Sequence, residues 1–306
     1  MHLQKLSLYL GSALLLSIGS IANAQMGAPL QQGETAISLG AVYTYYADAD
    51  LDTDGDFGLQ SYGVAGNYKQ GLAGGHAIGF GAAAGLDKYS FSNSSVFGND
   101  APWDDIQRFA LNMQYSYRID QQQSLFVMPA VEYAGESGAD FSDSLRFGGI
   151  VGYVKQFSRT LTIGIGGAVY TGMEDTSAYP IILLNWQFAQ DWRLGNSYRP
   201  GPTTPAGLEF TYTGLENWQL GIGAAYTSTR FALDDSGTAR EGYGENESGL
   251  IYLSGTYAIS DQSSLDLFLG TTFGGELSIE DSDGDSVASE DYDPSLVLSV
   301  AYTFSF

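Results

Sequence analysis

Residues 296–306 read Leu-Val-Leu-Ser-Val-Ala-Tyr-Thr-Phe-Ser-Phe. Leu296, Leu298, Val300, Tyr302, Phe304 and Phe306 alternate strictly with Val297, Ser299, Ala301, Thr303 and Ser305. A period of two is that of a β-strand lying between two different surroundings. One face is large and apolar and ends on an aromatic residue; the other is small and mostly polar. In a soluble protein the apolar face would point at a core, and nothing would require the chain to stop on Phe. In a membrane barrel the apolar face meets lipid and the small face meets the lumen.

The same alternation recurs along the chain. It predicts about fourteen strands, at 35–46, 59–70, 76–89, 106–118, 124–134, 144–156, 160–172, 179–189, 192–199, 206–213, 218–232, 248–259, 263–277 and 294–306. Each is near the ~9–11 residues that a tilted membrane strand needs. The ninth and tenth are short, and twelve strands follow if both are loop. Every even segment is followed by a short link, such as Phe157-Ser158-Arg159, Gln190-Asp191 or Ser260-Asp261-Gln262. Odd segments are usually followed by longer, acidic links. Short periplasmic turns and long outer loops are the habit of membrane barrels, and an even count returns both ends to the periplasmic side. Outward faces such as Ile37, Leu39, Ala41, Tyr43, Tyr45 and Trp218, Leu220, Ile222, Ala224, Tyr226 carry aliphatics mid-strand and aromatics at the ends. That suits a headgroup girdle. A large soluble β-sandwich is the alternative, but it gives no reason for end-weighted aromatics.

The other end of the chain agrees. Lys5, an apolar run from Leu6 to about Ile21 and Ala22-Asn23-Ala24 read as a secretory signal peptide over 1–24. The run is short and rich in Gly and Ser, which disfavours a membrane anchor. The barrel is then a single domain over 25–306. Only about ten residues separate the cleavage site from the first strand, too few for a plug domain. This argues against a TonB-dependent receptor and against the fatty-acid transporter type with its N-terminal hatch.

Composition narrows the function. There is no Cys, although export would allow disulfides, and Gly (40) and Tyr (21) are high while Pro (8) is low. Mean hydropathy is near zero at −0.07. The formal charge of −23 excludes nucleic acid as a partner, since phosphates would be repelled. The acids concentrate at Asp48 to Asp56, Asp234 to Glu247 and Glu276 to Asp293.

The ending resembles the C-terminal signal that the bacterial barrel-assembly machinery reads on its clients, with Tyr302, Phe304 and Phe306 at the matching positions. Residues 191–210 read Asp-Trp-Arg-Leu-Gly-Asn-Ser-Tyr-Arg-Pro-Gly-Pro-Thr-Thr-Pro-Ala-Gly-Leu-Glu-Phe, with Trp218-Gln219-Leu220-Gly221-Ile222-Gly223 downstream. This resembles a family of uncharacterised, porin-like proteobacterial outer-membrane barrels, a domain of unknown function. The resemblance implies a single-domain barrel in the outer membrane and adds no activity.

Catalysis finds little support. After loss of the signal, His76 is the one histidine, beside the Gly74-Gly75 turn at the predicted periplasmic rim. No Ser motif accompanies it and no paired carboxylates suit acid–base work. An enzyme is not expected, nor is a transition-metal centre. Inward parity selects Arg108, Glu132, Arg146, Arg193, Glu209 and Asp266. Buried in a barrel, these must pair or face water. Arg108, Glu132 and Arg146 on consecutive strands fit one cluster, read either as a brace or as a charge-selecting constriction. Inward glycines (Gly79, Gly81, Gly85, Gly164, Gly166, Gly221, Gly223) either enlarge the lumen or relieve curvature. Asp50, Asp52, Asp54 and Asp56 match the first half of a calcium loop, but the twelfth position is Ser61 rather than Glu. Weak Ca²⁺ binding is the only cofactor entertained. The loops would meet outer-membrane lipid and lipopolysaccharide. Two functions stay open: a passive channel for small solutes, or a non-conducting barrel closed by its charge network and an infolded loop.

Overall fold

A computed structural model describes residues 30–93, 95–97, 101–196 and 206–306. The signal segment 1–24 and part of the ninth predicted strand lie outside the described residues. The strands are β1 (Thr35–Asp50), β2 (Asp56–Gly71), β3 (Ala77–Ser92), β4 (Ile106–Arg118), β5 (Gln123–Glu136), β6 (Leu145–Ser158), β7 (Leu161–Gly172) and β8 (Asp175–Ala189). There follow β9 (Trp192–Gly195), β10 (Ala206–Leu215), β11 (Trp218–Ala232), β12 (Tyr243–Ser260), β13 (Ser263–Glu280), β14 (Ser286–Tyr292) and β15 (Leu296–Ser305). Each pairs antiparallel with its sequence neighbour up to β13, and β1 pairs with β15, which pairs with β13. The ring therefore closes, as a membrane barrel must; among the described residues the short β9 meets β8 over 185–189 and β10 over 209–212.

β14 and β15 share one stave. β15 pairs with β13 from Ser263↔Phe304 to Thr271↔Leu296, and β14 continues from Gly275↔Tyr292 to Glu280↔Ser286. Pro294, which has no N–H to give, sits in the break between them. Ser295 mends the gap: its N–H donates to Thr272 Oγ1 at 2.7 Å, and Thr272 N–H donates to Ser295 O at 2.9 Å. The barrel thus has fourteen staves. Several run longer than the sequence suggested, because the acidic 276–293 stretch is largely hairpin rather than loop.

The outward faces form a belt. Leu111, Val151, Ile165 and Ile182 are 58, 59, 63 and 67% exposed, within a continuous band of large apolar side chains. A soluble surface does not tolerate a patch of that extent; hydrocarbon does. Aromatic pairs border it. Trp192–Tyr212 and Trp218–Tyr257 (both 5.0 Å) lie at the short-turn end, and Tyr43–Tyr62 (5.0 Å) and Phe109–Tyr133 (5.8 Å) at the long-loop end. Strands such as the 18-residue β12 and β13 exceed what a bilayer needs and project beyond the girdle at the long-loop end.

Candidate functional site, the lumen and its cap

Every second side chain points inward, so the alternating pattern that makes the lipid belt also fills the lumen. Of the six charges singled out in the sequence, Arg108, Glu132, Arg146 and Glu209 are buried, whereas Arg193 and Asp266 are half-buried. Arg108 is fully buried and takes Asp87 of β3 as its charge partner, with Ser61 of β2 completing the row. Arg108 Nη2 donates to the Asp87 carboxylate and to Ser61 Oγ (3.2 Å), and Ser61 donates to the same carboxylate. Glu132 lies directly opposite Arg146 across β5–β6. Arg146 Nη2 also donates to Ser177 Oγ at 2.8 Å, and its guanidinium lies 5.9 Å from the Tyr170 ring centre. Glu209 accepts from Thr211 Oγ1 (3.0 Å) and Ser254 Oγ (3.1 Å). Asp266 accepts from Thr256 Oγ1 at 2.5 Å. Arg193 sits half-buried at the short-turn end. Asp87 has the same parity as Gly79, Gly81 and Gly85, and that parity was the signal that could have found it.

The space between these polar groups is not open water. Phe126, Met128, Ile150, Val154, Ala168, Tyr170 and Leu183 form a buried apolar bed on the inner wall of β5–β8. Ala225, Leu250, Tyr252 and Val297 form another, with Tyr46 and Phe268 against it. The small inner face of β15 is therefore matched by large neighbours rather than by empty lumen. Inward glycines make room for them: a Cβ on Gly223 would lie 2.5 Å from Tyr252 Cζ, and one on Gly152 2.4 Å from Phe126 Cε1.

The long-loop end is capped. Phe97 and Trp103, from the connection between β3 and β4, turn inward and are buried with Phe57, Ile106, Phe231, Leu277, Ile279 and Tyr292. Trp103 lies at the centre, its ring 5.0 Å from Phe231, 5.4 Å from Phe91, 5.5 Å from Tyr89 and 6.3 Å from Phe97. The barrel is pinched there as well: Ala232 of β11 pairs with Gly135 of β5 in parallel, across the lumen. Glu136, three residues past the girdle residue Tyr133, ties two loops together. Its Oε1 accepts from Asp104 N–H (2.6 Å) and its Oε2 from Asp234 N–H (3.0 Å). Burial raises the Glu136 pKa above the usual carboxylate range; the two N–H bonds oppose this, and the nearby Asp234 and Asp104 charges add to it. Thr238 Oγ1 donates to Phe97 O at 2.6 Å, pinning the infolded turn. Arg230 joins three segments, through Glu280 (2.5 Å), Met173 O (3.2 Å) and the Tyr243 ring (4.9 Å).

His76 Nδ1 accepts from Arg118 N–H at 3.0 Å and its ring stacks 4.8 Å from Tyr117, so it staples the first short turn to β4. Asp50 and Asp56 face one another across the β1–β2 hairpin, and the Thr53 N–H within it is taken by Glu290. Asp52 and Asp54 are exposed. Among the described residues no group of three or more His, Cys, Asp or Glu converges as a metal site. Tyr302 and Phe306 are exposed at the outer surface, and Phe304 meets Phe306 edge-on at 4.7 Å.

Solved structures with some likeness include the COG4313 outer membrane channel from Pseudomonas putida F1 (12% identity, TM-score 0.49, 90% of this chain and 97% of that one). A Pseudomonas aeruginosa FadL homologue gives 13% identity and a TM-score of 0.48, over 88% and 89%. The KdgM porin gives 10% and 0.34, over 87% and 99%. Likenesses at this level assign no function. No curated protein sequence matches the chain. Residues 86–306, well over half of the sequence, match the model of the family described as Domain of unknown function (DUF6268), and the chain belongs to that family.

Proposed function

We propose that this protein is a bacterial outer-membrane channel for small solutes whose outer mouth is held shut by the cap. One observation carries the reading. The segments that close the mouth lie at or beyond the aromatic girdle at the long-loop end, so the closure can open without breaking the rungs that cross the membrane. Beneath the closure the inner wall ends in a polar vestibule, lined by Gln156, Thr162, Asn185, Gln187, Arg193 and Thr213, which faces the short-turn end. In this reading the short turns face the periplasm. The acidic loops meet lipopolysaccharide, with divalent ions between them, and the barrel-assembly machinery receives the chain by Tyr302, Phe304 and Phe306. No step of this function is catalytic.

A second reading, a non-conducting barrel that acts through its loops, draws support from the buried apolar bed around Met128 and Ile150. Recording in planar bilayers separates the two. The channel reading expects rare openings of the wild-type protein and frequent ones when the cap is loosened by Trp103→Ala. A tight seal for both proteins, and also when the inner bed is loosened together with the cap by Met128→Ala, leaves the non-conducting barrel.

A further inference from the structure

At the short-turn end the inner wall of β6–β10 holds a recess of about 280 Å³, lined chiefly by Gln156, Arg159, Thr162, Asn185, Gln187 and Arg193. The register brings these residues together: Gln156 faces Thr162, Thr162 faces Asn185, and Gln187 faces Arg193 on successive strands. Arg159 enters from the two-residue turn between β6 and β7. We propose that this recess binds a small dianion, a phosphate or short dicarboxylate, between the Arg159 and Arg193 guanidiniums.

Three features carry the proposal. First, the lining contains two guanidiniums, amides and hydroxyls but no carboxylate, in a chain with 35 acids against 12 bases. Second, the fully buried Arg108 and the cap residue Arg230 each have a carboxylate partner, whereas among the described residues neither Arg159 nor Arg193 has one. A planar fork with five donors matches an oxyanion bidentately, and two forks suit two negative charges better than one. Third, the recess has room. At ~30 Å³ per water it holds about nine waters, enough for a small dianion with part of its hydration shell. The acids cluster at the opposite, long-loop end, so the anion would enter from the short-turn side.

The site does not depend on the cap opening, and binding is read on the closed barrel. Isothermal titration of the mature protein in detergent at low ionic strength, with inorganic phosphate, succinate and acetate in separate runs, tests it. Saturable binding of phosphate or succinate, weaker binding of acetate, and a loss of at least about tenfold in Arg193→Gln and in Arg159→Gln support the site. Arg118→Gln, at the same rim but outside the recess, should bind as wild type does. Phosphate alone or succinate alone would identify which dianion is recognised. Binding should also weaken as salt is raised. Absence of binding for all three anions overturns the proposal, as does binding that survives both arginine substitutions in proteins with wild-type circular dichroism. Bilayer recordings test the channel reading separately, so either can fail alone.

Discussion

Trp103→Ala is the perturbation that tests the cap most directly. Trp103 is 2% exposed and makes ring contacts with Tyr89, Phe91, Phe97 and Phe231 at centroid distances of 5.0–6.3 Å. Truncating a buried aromatic of this kind costs about 3–5 kcal/mol, the transfer term plus the cavity left behind. Most of that loss falls on the cap, because the loop bearing Trp103 contributes no rung to the membrane-spanning wall. At about 1.4 kcal/mol per tenfold, the open population should rise by roughly two to three and a half orders of magnitude. Native-state hydrogen exchange reads this at the amides of Asp104, Asp234 and Leu233, which are bonded to Glu136 and to Gly242 O in the closed form. Single-channel recording then shows whether that opening also passes current. Exchange at these amides within about threefold of wild type, in a protein with an unchanged barrel spectrum, would refute the claim that Trp103 holds the mouth shut.

Other outcomes follow from named contacts. Asp87→Asn removes the carboxylate paired with the buried Arg108 and should cost about 3–5 kcal/mol in denaturant unfolding; Asp87→Leu with Arg108→Met should recover most of it, and a cost below about 1 kcal/mol for the single change would contradict the pairing. The raised pKa of Glu136, set first by burial, makes the closed cap the form that prefers the proton. The resulting stability is complete below the carboxyl's open-state pKa and is lost as pH rises through the closed-state value. Exchange at Asp104 and Asp234, corrected for its intrinsic pH dependence, should therefore slow on acidification, and Glu136→Gln should flatten that trend. Gly221→Ala places a Cβ within 2.2 Å of Ser254 Oγ and should destabilise by about 1–3 kcal/mol, visible as a lower unfolding midpoint.

Much of the barrel was legible because lipid imposes a simple rule on it. Alternation gave Ile37, Leu39, Leu220 and Ile222 to the outside, where all four are exposed, and the ladder pairs their strands with sequence neighbours. Inward parity placed Arg108, Glu132, Arg146 and Glu209 in the lumen for the same reason. The inner apolar bed was harder to see. In Leu125-Phe126-Val127-Met128 both faces are apolar, so the period of two vanishes and the run does not say that one face is lipid and the other a packed interior. The cap was hidden by composition. Leu277 and Ile279 point into it while Glu276, Ser278 and Glu280, which alternate with them, do not, and Ala288, Glu290 and Tyr292 share one face in β14. A stretch this acidic reads as loop until its alternation is weighed apart from its charge. Nor does any local pattern bring Phe97, Phe231 and Tyr292 together from three distant segments.

The two apolar layers act in series, and this bears on what the barrel can pass. The cap consists of loop and strand ends beyond the girdle, so it can open as a local unit with its own free energy, well below that of the whole barrel. The bed around Met128, Ile150 and Leu183 is built from side chains on membrane-spanning strands, and its backbone is held by the ladders of β5–β8. Opening the cap therefore removes one barrier and exposes another, which side-chain rearrangement alone can widen. Cap exchange and conductance need not rise together. If Trp103→Ala loosens the cap without current, the controlling constriction is the bed. Met128→Ala, which removes a fully buried inward side chain from it, should then conduct in the Trp103→Ala background and not in the wild type. Current from Trp103→Ala alone would assign the seal to the cap. If the double variant stays silent while its cap exchanges rapidly, the lumen carries no solute path and the loops must carry the function.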